Sequence, residues 1–86
     1  MSTIDPNFIL NAGKLVENVV SRSKITYVTD DDQMVHGHLR GFLVRDGDID
    51  TWPMRIKTRG GWETSLSFVE AVDLMQTGKM KFRWVD

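Results

Sequence analysis

From Lys24 onward, apolar residues recur at every second position in short runs, and each run is closed by a cluster of Asp or Gly. Period two is the signature of half-buried strands, so the chain is constrained to an antiparallel meander with tight turns. Ile25 and Tyr27 open a first strand that stops at Asp30-Asp31-Asp32, residues 34–45 read as a second, and Asp46-Gly47-Asp48 turns the chain again. Trp52, Met54, Ile56 and Thr58 alternate with Arg55, Lys57 and Arg59 in a third strand. Gly60-Gly61 leads to a fourth, whose Trp62, Thr64 and Leu66 are expected to point inward. Residues 79–85 form the fifth, with Met80, Phe82 and Trp84 on one face and Lys79, Lys81 and Arg83 on the other. The second run is irregular: Val35 and Leu39 share one parity, Phe42 and Val44 have the other, and Gly41 stands at the change. A glycine there predicts a bulge or sharp bend that curls the sheet.

Two helical patterns frame the strands. Asp5 is placed as an N-cap with Pro6 at the first helical position, and Phe8, Ile9, Ala12, Leu15, Val16, Val19 and Val20 follow at helical spacing. This predicts a helix over about residues 5–21, with Ile4 and Ile9 positioned for a hydrophobic staple. Gly13 weakens its middle by about 1 kcal/mol relative to Ala, so the helix needs packing against the sheet. Ser67-Phe68-Val69-Glu70 is a capping box that opens a short helix through about Gln76, and Gly78 is placed to end it. The predicted class is α+β: an N-terminal helix plus a five-stranded antiparallel, strongly bent sheet or small SH3-like barrel, with a short helix before the last strand.

Composition bounds what such a fold can do. Eighty-six residues at 9.9 kDa allow one domain, 1–86, with a small core. A 41% hydrophobic and 27% charged chain is globular rather than disordered. The absence of cysteine removes disulfides, thiolate nucleophiles and Cys-based zinc ribbons. No apolar run approaches the roughly 18–20 residues of a membrane span, and no secretory leader is recognisable at the N-terminus. The expectation is a cytoplasmic protein without membrane contact.

Candidate chemistry is sparse. Asp46, Asp48 and Asp50 have the opening spacing of a calcium loop, but Thr51 stands where that loop needs Gly and Lys57 where it needs Glu, so a solvated turn accounts for them. His36 and His38 share a strand face, yet two ligands beside Arg40 do not make a zinc site. Neither a nucleophile-base-acid order nor a phosphate-binding glycine motif is present, so no enzyme, metal or cofactor is expected. Positive charge is the informative feature. Arg55, Lys57 and Arg59 form one ladder and Lys79, Lys81 and Arg83 another, while Asp30, Asp31, Asp32, Asp46, Asp48, Asp50 and Glu70 sit in turns or beside the short helix. A net charge of −1 therefore conceals a basic sheet face, extended by Arg40, His36 and His38 if the second and third strands are neighbours. Trp52, Trp62 and Trp84 are assigned to the core by parity.

The order of elements between Ile25 and Val85 resembles the small SH3-like and Sm-like barrels, a likeness of architecture that implies no particular binding residues. A second resemblance is local. Phe68, Glu70-Ala71-Val72, Met75, Gly78-Lys79, Phe82 and Arg83 look like the helix-then-strand unit of small phage anti-Thoeris proteins. In that family the unit opens the domain, whereas here it follows four strands, so none of the family's ligand residues is carried over. The likeness implies a small viral accessory protein.

Two functions fit these readings. The first is a non-enzymatic module that contacts RNA or another polyanion through Arg40, Arg55, Lys57, Arg59, Lys79, Lys81 and Arg83. The second is a phage-encoded inhibitor or adaptor that docks a host protein, including an acidic one. A homodimer is expected in either case, with Val16, Val19 or Val20 in the self-interface.

Overall fold

The computed structural model describes residues 5–83. Helix α1 (Pro6–Val20) begins as the sequence predicts, with the Asp5 carboxylate accepting from the Asn7 N–H. It ends on Arg22 in the left-handed conformation (φ 54°), where the Ser23 N–H reaches the Asn18 carbonyl and the Arg22 N–H that of Val19. That pattern is a Schellman cap with Arg at the position glycine usually takes. Ser23 is fully buried and donates to the Asn18 side chain at 2.7 Å, while its carbonyl accepts from the Leu39 N–H. The helix end is thereby tied to the second strand. Ile4, the other half of the expected staple, lies outside the described residues.

The strands follow in order: β1 (Lys24–Val28), β2 (Met34–Phe42), β3 (Met54–Thr58), β4 (Gly61–Glu63) and β5 (Met80–Arg83). They form one antiparallel sheet in the order β4-β3-β2-β1-β5. The class is α+β as expected, but the sheet is open and does not close into a barrel. Three residues in β4 and four described in β5 offer little ladder for an edge-to-edge closure. The sheet is nonetheless strongly curled, because Glu63 of β4 and Tyr27 of β1 line one cavity although β3 and β2 lie between their strands.

The bulge predicted at Gly41 is present. Leu39 pairs with Ile56 and Gly41 with Arg55, so Arg40 is the extra residue, and Gly41 has φ 146°. One inserted residue restores Phe42 to the core side, where its ring lies 5.6 Å from that of Phe68. Gly37 serves a different need. A Cβ there would stand 2.6 Å from Ile56 Cγ2 and 2.8 Å from the Lys57 carbonyl oxygen, so its absence lets β3 pack closely.

Between β2 and β3 a 3₁₀ turn at Ile49–Thr51 precedes Trp52, which the alternation had placed inside the third strand. Trp52 is partly buried, and its indole N–H is buried with no hydrogen-bond partner among the described residues. Helix α2 (Phe68–Gln76) carries both hydrogen bonds of the capping box between Ser67 and Glu70. A Schellman pair, Gly78 N–H to Met75 and Lys79 N–H to Leu74, closes it. Both helices pack on one side of the sheet around Leu15, Ile25, Tyr27, Leu39, Met54, Ile56, Leu66, Phe68, Ala71, Val72 and Met80. No described helix is long and apolar enough to cross a membrane. Trp84 and Val85 lie outside the described residues.

Candidate polyanion-binding face

The other side of the sheet carries the basic residues. Cross-strand partners share a face, and the register generates a row across all five strands: Trp62 opposite Lys57, Lys57 opposite His38, His38 opposite Lys24, and Lys24 opposite Arg83. At about 4.8 Å per strand the row is roughly 19 Å long. A second, shorter row runs His36, Thr26, Lys81, with the Thr26 hydroxyl 3.2 Å from His36 Nδ1. Together they border a groove of about 590 Å³ whose charged side chains are Lys24, Lys57, Arg59, Lys81 and Arg83, with His36 and His38 between them. Among the described residues no acidic side chain lines it.

The sequence-predicted residues therefore separate into groups. Lys57, Arg59, Lys81 and Arg83 converge on the groove, as the two ladders required. Arg55 lies beside it, its guanidinium carbon 4.4 Å from the centre of the Trp62 ring. Lys79 is exposed ahead of β5 and does not border the groove. Arg40 sits on the bulge, exposed and unpaired in the β2–β3 register, and does not border the groove. Lys24 stands in the row between His38 and Arg83 although neither basic ladder contains it.

Trp62 departs from expectation. It is 50% exposed and shares the outer face with Lys57, whose ammonium lies 5.1 Å from the ring centre. Glu63, not Trp62, is opposite the buried Ile56. Thr64 is exposed, and only Leu66 of the expected inward set is buried. An exposed indole flanked by two cations joins an aromatic surface to the end of a cationic row.

No protein-family model matches the chain, and no curated protein or solved structure matches it either.

Proposed function

We propose that the protein is a non-enzymatic module that binds single-stranded RNA along the basic row, with phosphates against Lys24, Lys57, Arg59, Lys81 and Arg83 and a base against Trp62. The carrying observation is the uninterrupted row Trp62–Lys57–His38–Lys24–Arg83, which spans the sheet with no acidic side chain in its groove among the described residues. Lys24 directly opposite Arg83 is a like-charge pair that weakens the sheet, and solubility alone does not require it. A polyanion in the groove relieves that repulsion and releases counterions. An exposed indole supplies what a phosphate surface lacks, a flat face on which any base can stack.

The reading is tested by fluorescence anisotropy with a labelled single-stranded RNA oligomer across a salt series. For about three to five phosphate contacts the log–log slope is expected at roughly −2 to −3.5. Trp62→Ala should weaken binding about 5- to 150-fold while leaving the slope unchanged, because stacking contributes roughly 1–3 kcal/mol per base and releases no counterions. Lys57→Glu should flatten the slope. Folded variants that bind as well as the wild type at low salt would remove the proposal and leave the inhibitor or adaptor function as the one to pursue.

A further inference from the structure

A second cavity lies on the helix side of the sheet and has the opposite charge. It measures about 530 Å³ and is enclosed by the β1–β2 turn (Thr29, Asp30), by β4 and the segment after it (Glu63, Ser65, Leu66), and by α2 (Val69, Glu70, Asp73, Leu74). Among the described residues four carboxylates border it and no basic side chain does. Among the described residues no three His, Asp or Glu side chains gather closely enough to hold a metal ion. The carboxylates thus surround an opening wider than a bare ion needs. Its floor is apolar, formed by Val28, Val35, Leu66 and Leu74.

Tyr27 is the independent feature. It is 2% exposed, lines this cavity, and its hydroxyl has no hydrogen-bond partner among the described residues. The ring is buried while the hydroxyl keeps a small accessible surface, which leaves it open to a partner entering the cavity. Tyr27 shares the lining of this cavity with Glu63 and Glu70, whose charges act on the phenol. Burial and these two carboxylates keep it neutral, so it retains both a proton to donate and a lone pair to accept with. Glu63 is held below the ordinary carboxylate range by hydrogen bonds from the Ser65 side chain and backbone, and stays charged.

We infer that this cavity is a binding site for an organic cation, an ammonium or guanidinium on an apolar stem, with the stem on the Val35–Leu74 floor and the charged head between Tyr27, Glu63, Glu70 and Asp73. The stem replaces water over apolar surface, and the head supplies the Tyr27 oxygen with a donor and the carboxylates with a counter-charge. The site is separate from the RNA-binding face and stands or falls independently of it. A lysine side chain of a peptide and a free diamine carry the same chemistry.

Amide chemical shifts of the isotope-labelled protein provide the test, with N-acetyl-lysine methylamide, 1,5-diaminopentane and the Nε-acetylated lysine derivative as probes. Saturable shifts are expected around residues 27–30, 63–66 and 69–74 with the two charged probes and not with the neutral one. Tyr27→Phe and Asp73→Asn should each weaken the charged probes by roughly 3- to 10-fold, the effect of one hydrogen bond or partly screened contact. A diamine that binds much more tightly than the lysine derivative identifies a free polyamine as the ligand class, and comparable affinities identify a peptide side chain. Shifts that do not saturate, that appear equally at Asp46 and Asp48, or that persist with the neutral probe would overturn the site.

Discussion

Tyr27 is the only tyrosine in the chain, so the ultraviolet absorbance of phenolate reports this one residue. Burial, followed by the charges of Glu63 and Glu70, pushes its pKa from 10 up to about 12. Above pH 10 the unfolded chain loses the proton and the native state keeps it, so native stability is intact below pH 10 and falls as pH rises toward 12. With a shift of about two units the loss is at most roughly 2 kcal/mol by pH 12, and solvent screening of the phenol reduces it. Alkaline titration should therefore show phenolate appearing with unfolding, and Tyr27→Phe should remove this contribution while leaving neutral-pH stability within about 1 kcal/mol, since no hydrogen bond is lost. Phenolate forming near pH 10 in the folded protein would contradict the burial. Tyr27 was legible as a core residue from its alternation with Ile25, whereas its unpartnered hydroxyl depends on β4 and α2, which are distant in sequence. Trp62 was more legible than parity along its own strand suggested. A hairpin with a two-residue loop pairs odd positions with even ones, so Trp62 had to join Arg55 and Lys57, not Met54 and Ile56.

At the scale of elements, the helices were the most readable because their ends are encoded locally. Asp5-Pro6, the Ser67–Glu70 box and Gly78 each act through hydrogen bonds within a few residues of chain. The short β4 and the 3₁₀ turn before Trp52 were not readable in this way, since each ends where the 65–68 segment pairs with 52–54 across the fold. The two basic ladders were seen separately. What joins them is β1 between β2 and β5, which contributes Lys24 from the strand's first position. That joint gives opposite expectations for stability and binding. Lys24→Glu replaces a like-charge pair opposite Arg83 with an attractive one and should stabilise the sheet by about 0.2–1 kcal/mol. Thermal melts should rise by a few degrees while RNA affinity falls about tenfold, through one lost contact and one added repulsion. A destabilised variant with unchanged RNA affinity would show that the row does not act as a single surface.

The whole molecule is electrically two-sided despite its net charge of −1, with a basic groove on the open face of the sheet and an acidic cavity on the helix side. Curling without closure makes both concavities, and the same openness leaves α1 with more apolar surface than the core uses. Phe8, Ala12, Leu15 and Val19 face inward, whereas Ile9 is 56%, Val16 40% and Val20 77% exposed. Of the three valines expected in a self-interface, Val19 packs on the core and the other two remain on the surface. Ile9, Gly13, Val16 and Val20 lie on one stripe, and a Cβ on Gly13 would meet nothing within 4 Å. Antiparallel pairing of two copies sets Ile9 against Val20 and Gly13 against Val16, so the stripe is complementary to itself under a two-fold axis. One helix pair buries less than a standard interface of about 1,200–2,000 Å², which points to a weak dimer. Such a dimer keeps both basic grooves outward, because α1 lies on the opposite side of the sheet, and two linked grooves raise the apparent affinity for long RNA above that for a short oligomer. Light scattering should give a mass rising from about 10 toward 20 kDa with concentration, the range within which a weak association becomes visible. Val16→Glu with Val20→Glu should hold the mass at the monomer value, preserve the fold, and leave short-oligomer binding intact while removing the advantage of long RNA. A wild-type monomer at every accessible concentration would refute the dimer without touching the basic row, since that row is complete within one chain.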